Sequence, residues 1–216
     1  MFIGHYALGL ASKRFAPEAS LGVLVAAPIF LDLLWPIFLL IGLEQVRIEP
    51  GSNPFVTLNF VSYPISHGLV ATVAWATLFA VFYCGYSRYW RGAIVVWIGV
   101  VSHWFLDLIV HRPDLPLYAG GPRFGLGLWK SPAATVAIEA VMYAIGILIY
   151  ARVTRERDAI GRWGFWSFVV ALALVYVLSI FAPPPPSVKV LALVAMALGL
   201  LFIFWAWWLD RHREVR

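Results

Sequence analysis

The stretch VVSHWFLDLIVHRPD, residues 100–114, joins an apolar run to ionisable side chains at a regular spacing. His103, Asp107 and His111 follow one another at intervals of four residues. Four residues correspond to a rotation of about 400° in an α-helix, so these three side chains share one face. Pro113 then bars further helix. The stretch therefore predicts the end of an apolar helix that carries a stripe of histidine and aspartate.

The composition of the chain indicates that this helix lies in a membrane. Of 216 residues, 62% are hydrophobic and only 12% are charged, which is outside the range of water-soluble domains. The net charge of +5 comes from basic residues in short loops between apolar runs, a topology signal that does not predict nucleic-acid binding. The single cysteine, Cys84, excludes an intramolecular disulfide.

Six runs are long enough to cross a bilayer as helices, for which about 20 apolar residues are needed. The last two are separated by four prolines at 183–186, which cannot continue a helix. Residues 2–15 are too short to cross, so we expect a short helix that lies at the interface, dips into it or packs among the spans. The six runs are 20–43, 65–86, 92–110, 132–151, 163–182 and 188–209.

These runs predict an all-α fold, a polytopic membrane helix bundle with about six transmembrane helices and a short N-terminal helix, interfacial or re-entrant. We expect one integral membrane domain over residues 1–216, with the candidate site in residues 1–150 and two scaffold helices in residues 151–216. Lysine and arginine number eleven in one set of alternate loops and five in the other. Because cytoplasmic loops are rich in these residues, both termini are predicted to be cytoplasmic.

Three carboxylates, Asp32, Asp107 and Glu139, fall inside the predicted spans. Each costs about 2.5 to 3.5 kcal/mol at the centre of a bilayer, so a compensating group is expected. Apart from Lys189, at the start of the last run, the six runs contain no lysine or arginine. An internal salt bridge is thereby excluded, unless a flanking arginine reaches into the membrane.

Histidines offer that compensation. His67 begins the second run, His111 ends the third and Glu139 lies early in the fourth, so an up-and-down bundle places all three near one side of the membrane. By the count of basic residues that side is extracytoplasmic. His5 reaches the same place only if the first segment enters the membrane.

Imidazole and carboxylate groups together bind Zn, Mn or Fe. His103 and His111 are too far apart along the helix to share an ion, which indicates either two divalent ions or one ion with a supporting histidine. A proton or ion pathway and plain polar packing are the alternatives. The predicted ligands, most simply of a zinc ion, are His5, Asp32, His67, His103 and Asp107.

The loop after the stripe carries three basic residues, Arg112, Arg123 and Lys130. They either anchor the loop beside lipid headgroups or hold an anionic group of a substrate, since arginine binds phosphate in a bidentate manner. Glu139 or His111 is the candidate general base.

Five segments in this order resemble the bacterial inner-membrane metal-dependent hydrolases of the YdjM-like group, some described as LexA-binding. The resemblance covers residues 1–150 and implies a multi-pass helical protein with a metal site of histidines and aspartates, distantly similar to zinc-dependent phospholipase C. The second motif of the family carries two acids, whereas this chain has Asp32 alone, which puts a second ion in doubt. The segments are GHYALGL, APIFLDLLWP, SYPISHGLVAT, GVVSHWFLDLIVH and GLWKSPAATVAIEA.

The pattern as a whole favours a membrane-embedded metal-dependent hydrolase that acts on an ester or phosphoester of a lipid-like substrate at the extracytoplasmic interface. Membrane lipids and an amphiphilic substrate are the expected partners, and a homo-oligomer is compatible with the sequence. A proton- or ion-coupled permease would use the same histidines and aspartates as a relay. A non-catalytic membrane scaffold would bind a partner through the arginine-rich loop 152–162.

Overall fold

The computed structural model of the protein describes residues 1–49, 51 and 53–216. In these residues the chain is a bundle of α-helices with three two-stranded antiparallel sheets and two short 3-10 helices. In chain order the helices are α1 Ile3–Ser12, α2 Leu21–Ala26, α3 Phe30–Leu40, α4 Pro64–His67, α5 Leu69–Ser87, α6 Trp90–Val110, α7 Pro132–Val153, α8 Ala159–Phe181 and α9 Val188–Asp210. The strands are β1 Gln45–Ile48, β2 Leu58–Ser62, β3 Leu115–Pro116, β4 Arg123–Phe124, β5 Thr154–Glu156 and β6 Arg213–Val215.

Helices α5 to α9 are the five helices of the described residues that are long and apolar enough to cross a membrane. Large apolar side chains cover the outward faces of these helices, as expected for a surface that meets lipid. The prediction of an all-α membrane helix bundle is confirmed, and the chain is an integral membrane protein.

The first apolar run differs from its prediction, because it forms α2 and α3 instead of one continuous helix. Pro28 lies at the break between them, and proline removes a helical N–H donor and clashes with the preceding turn. Gly99 of α6 packs against this break, where an added Cβ would lie 2.9 Å from the Cβ of Ala27. The break therefore lets α6 approach the segment between α2 and α3 closely. It also leaves a backbone carbonyl group of this segment facing α6.

Helix α1 is buried along most of its length, so of the three expected placements the structure shows packing among the spans. It contacts α7, α2 and α6. Gly146 of α7 makes the approach close, since a Cβ there would lie 2.5 Å from the carbonyl oxygen of Ala7. His5 is thereby carried into the interior of the bundle.

One end of the bundle is closed by the C-terminal segment. Strands β5 and β6 pair there, and the ammonium of Lys13 lies 2.8 Å from a carboxylate oxygen of Asp210. Met1 does not lie at this end. Helix α1 ends next to Lys13, and its first residues lie inside the bundle. Met1 lies instead beside Asp107 of α6.

The other end is covered by elements that the sequence pattern did not predict. Strands β1 and β2 form a hairpin that packs on the ends of α3, α6 and α9 through a cluster including Trp35, Val46, Tyr63 and Trp104. Beneath this hairpin the histidines and carboxylates meet. The last two helices are not separate from that region, since α9 packs along α2 and α3.

Candidate metal centre

Four helices bring five buried or half-buried ionisable side chains together. Two overlapping groups of donor atoms are close enough to hold a metal ion, and His103 of α6 belongs to both. One group also contains His5 of α1 and Asp107 of α6, and the other also contains Asp32 of α3 and His67 of α4. All five residues predicted as ligands therefore belong to one cluster.

The spacing of the donor atoms fits one tetrahedral ion. Two nitrogen ligands at 2.0 to 2.1 Å from zinc lie about 3.3 Å apart at a tetrahedral angle. The Nε2 atoms of His67 and His103 are 3.2 Å apart, and Nε2 of His103 is 3.2 Å from Oδ2 of Asp107. Oδ1 of Asp32 lies 3.6 Å from His67 Nε2 and 3.8 Å from His103 Nε2. Nε2 of His67 is 3.9 Å from Oδ2 of Asp107, the longest of these distances. The residues present thus fit a metal ion held by His103 together with donors from either group.

The backbone break before α3 orients His103. Its Nδ1 lies 2.7 Å from the carbonyl oxygen of Pro28, which only accepts hydrogen bonds, so the ring carries its proton on Nδ1. The Nε2 lone pair then points toward Asp107 and His67. This arrangement, with the outer nitrogen bonded to an acceptor, is the usual support of a metal-binding histidine.

His67 is oriented through a serine and a glutamate. Oγ of Ser66 donates to Glu44 at 2.6 Å and lies 2.7 Å from Nδ1 of His67. Since the serine proton goes to the carboxylate, the serine oxygen accepts the Nδ1 proton of His67. The Glu44 carboxylate also accepts the backbone N–H groups of Ile65 and Ser66 at 2.8 Å each. Glu44 was missed because it follows the first apolar run, and only the tertiary fold brings it to α4.

His111 has a carboxylate partner of its own. Nδ1 of His111 lies 2.9 Å from Oδ1 of Asp114, and Nε2 faces Oδ2 of Asp107 at 3.6 Å. Burial raises the pKa of Asp114, but hydrogen bonds from His111, Arg112 and Tyr63 outweigh it and hold that pKa below its ordinary value. An ionised Asp114 keeps the His111 proton on Nδ1 and leaves Nε2 free to accept one.

Asp107 lies at the centre of the cluster. Its Oδ1 is 3.1 Å from Nε2 of His5 and 2.5 Å from the α-amino nitrogen of Met1. The His5 ring stacks on His103 with centroids 4.1 Å apart.

Glu139 holds the start of α1. Its Oε2 accepts the backbone N–H groups of Phe2 at 2.8 Å and Gly4 at 3.2 Å. These are donors that the first turn of a helix leaves without partners. The Glu139 carboxylate therefore positions α1 and, with it, His5.

The cluster opens into a cavity of about 280 Å³. Asp32, His67, Asp107, His111 and Glu139 form its polar wall. The remaining wall is almost entirely apolar and comes from α1, α3, the loop before β2, β2, the 3-10 helix Leu128–Lys130, α8 and α9. Its residues include Tyr6, Leu33, Trp35, Phe55, Phe60, Trp129, Tyr176, Ala195 and Leu198.

The three basic residues predicted to bind substrate do not line this cavity. Arg112 is engaged by Asp114 at 3.0 Å and by the side-chain oxygen of Asn59 at 2.8 Å. Arg123 donates to the carbonyl oxygen of Val61 and lines a separate small cavity. Lys130 is exposed at the end of a 3-10 helix.

No protein-family model matches the chain, and neither a curated protein nor a solved structure matches it significantly. The possible chemistry of the chain therefore follows from the arrangement of its own residues. Its buried histidines and aspartates could hold a metal ion beside a largely apolar cavity.

Proposed function

We propose that the protein is a metal-dependent hydrolase of the membrane, similar to the YdjM-like group, that cleaves an ester or phosphoester of a lipid-like substrate. One observation carries the proposal. His67, His103 and His111 each have Nδ1 next to a hydrogen-bond partner on the outer side of the ring, and their Nε2 atoms face the carboxylates of Asp32 or Asp107. Both carboxylates, His67 and His111 line a cavity.

Zinc is the proposed ion, since it favours tetrahedral sites made of imidazole and carboxylate groups; Mn and Fe accept the same donors. His67, His103, Asp107 and Asp32 would hold one ion, with His5 supporting Asp107 from its other oxygen. When bound, such an ion lowers the pKa of a water molecule and polarises the bond to be cleaved.

His111 is the proposed general base. Its Nε2 lies at the cavity and its Nδ1 is held by Asp114, which stabilises the charge that the ring gains when it accepts a proton. Glu139 is less suited to this role because one of its oxygens is engaged by the start of α1.

The aromatic wall of Trp35, Phe60 and Trp129 keeps bulk water from the cavity and presents an apolar surface to the substrate. In this proposal the cluster end of the bundle faces the extracytoplasmic side of a bacterial inner membrane, which the count of basic residues in the loops supports. The cleaved bond would then lie in the headgroup zone.

Hydrolysis by purified, zinc-loaded protein tests the proposal, with short-chain chromogenic carboxylic esters and phosphoesters as substrates. His111→Ala should retain the metal but lose about 10²- to 10⁴-fold in rate, the usual contribution of a general base. His67→Ala should lose metal and rate together, whereas His212→Ala, far from the cluster, should behave as wild type. Metal-loaded protein that cleaves neither substrate class contradicts the proposal.

A second function, proton or ion transfer, is favoured by one observation. A chain of close polar contacts runs from buried Asp107 through His111 and Asp114 to the partly exposed Arg112. A relay of this kind would work without a metal ion. Proton uptake into vesicles that persists after chelation, together with a metal-free cluster, would favour the relay over the hydrolase.

A further inference from the structure

A second cavity, of about 520 Å³, adjoins the first. It lies between the end of α8, the prolines at 183–186, the first half of α9 and the segment that leads into β2. Its volume is typical of small-molecule sites. We call it the chain groove, and its walls include Pro54, Leu58, Val175, Ile180, Val190, Leu191 and Val194.

The chain groove and the metal-site cavity share part of their walls. The residues common to both are Phe2, Phe55, Phe60, Trp129, Ser179, Ala195 and Leu198. The two cavities therefore adjoin along a common wall. The carboxylates and histidines lie at one end of the combined space, and aliphatic and proline side chains lie at the other end.

We propose that the chain groove holds one hydrocarbon chain of the substrate while the bond to be cleaved lies beside Asp32, His67 and His111. This inference rests on the proposed function and defines its substrate class as amphiphiles with an alkyl or prenyl chain. Helices α8 and α9, expected from the sequence to be scaffold, then form the chain-binding part of the site.

The chemistry of the groove favours a hydrocarbon over a peptide. A peptide needs hydrogen-bond partners for its buried backbone groups, whereas a hydrocarbon needs none. The prolines at 183–186 have no N–H to donate, and the hydroxyl of Ser179 already donates to the carbonyl oxygen of Tyr176 at 2.7 Å. Val190 and Val194 line the groove and are also exposed on the lipid-facing side, which leaves a lateral entrance from the bilayer.

The wall of the metal-site cavity also contains donors that lack partners. The hydroxyl of Tyr176 and Nε1 of Trp35 are buried without a hydrogen bond in the described part of the chain, and both side chains line the metal-site cavity. A buried donor without an acceptor costs free energy. An oxygen of the substrate headgroup would supply the acceptor.

The position of a bound hydrocarbon chain is a sharper test than the affinity of the protein for it. A hydrocarbon chain that leaves the bilayer for the groove only exchanges one apolar environment for another. The probe is a decyl phosphonate with a photoreactive diazirine at the end of its chain; a phosphonate contains no bond that a hydrolase of this kind cleaves. After irradiation in lipid nanodiscs, peptide mapping should find the label at Ile180 and Leu191. Excess unlabelled decyl phosphonate should abolish this labelling.

Two matched variants of α9 separate the groove from the lipid-facing surface. Ala195 lies in the wall shared by both cavities, so Ala195→Phe should fill the junction and reduce the saturable labelling by about tenfold or more. Ala197 faces outward on the same helix and lines neither cavity, so Ala197→Phe should label as wild type. Retained metal content in both variants shows that the cluster is folded.

Labelling that cannot be competed, or that is unchanged in Ala195→Phe, overturns the inference. Because the probe is not hydrolysed, this result is independent of catalysis. Saturable labelling of the groove in a protein without hydrolase activity would uphold the chain site and reject the proposed reaction.

Discussion

The Nε2 atoms of His67 and His103 face each other at 3.2 Å, while the Nδ1 atom of each ring is hydrogen-bonded on the opposite side. Two imidazole lone pairs at this distance repel unless a cation lies between them or one ring is protonated. The nearby carboxylates of Asp32 and Asp107 favour a cation.

Ser66→Ala tests the support of His67. The substitution removes the acceptor of the Nδ1 proton and separates His67 from Glu44, so metal affinity should fall by about 10- to 100-fold. Competition with a metal-sensitive chelator measures this change. Ser102→Ala is the matched control, because Ser102 also precedes a histidine but donates to the carbonyl oxygen of Gly99. Equal affinities in the two variants would show that the serine does not support the ligand.

Substitutions of Glu139 separate its structural role from a catalytic one. Glu139→Gln keeps an oxygen that accepts the N–H groups of Phe2 and Gly4, whereas Glu139→Ala removes it and should destabilise the fold by about 1 to 3 kcal/mol. Thermal unfolding in detergent measures the difference. We expect Glu139→Gln to keep metal and most of the hydrolytic rate. A fully folded, metal-loaded Glu139→Gln protein with no activity would assign the general base to Glu139 instead of His111.

Asp114 should give the protein a distinct dependence of stability on pH. Its pKa is lower in the folded protein than in the unfolded chain, so its stabilising contribution is present above the unfolded pKa and is lost as the pH falls through the folded pKa. Unfolding temperatures of wild type and Asp114→Asn should therefore differ most near neutral pH and converge as the pH falls through the lowered pKa of Asp114. A constant difference over this range would mean that the carboxylate charge is not what stabilises the loop.

Tyr176→Phe tests the unpaired hydroxyl at the cavity. If the hydroxyl donates to the substrate headgroup, the variant should bind decyl phosphonate about tenfold more weakly, because a hydrogen bond to a charged group is lost. Tyr150→Phe is the control, since its hydroxyl is also buried without a partner in the described residues but the side chain lines neither cavity. Binding that is equal in both variants would remove Tyr176 from the site.

The α6 stripe shows what the sequence predicts well. Helical periodicity alone places His103, Asp107 and His111 on one face, and the structure has all three facing the cluster. The apolar lengths of α5 to α9 likewise identify the spans. Both features depend on local spacing, which a sequence displays directly.

Features that depend on contacts distant in the chain could not be predicted in the same way. Pro28 signals a break in a helix, but the pairing of its carbonyl group with His103 needs the close approach at Gly99. Glu44 reaches Ser66 only because α3 and α4 pack together. The β1–β2 hairpin consists of short strands between apolar runs, where the periodic signal is weak.

Metal analysis of the purified protein tests the metal centre most directly. We expect about one equivalent of zinc in the wild type, because both groups of candidate donor atoms share His103. His103→Ala should lose this zinc and His212→Ala should keep it, because only His103 belongs to both groups of donor atoms. A wild-type protein that stays metal-free after incubation with zinc, or a His103→Ala variant that retains the full equivalent, would contradict the metal centre.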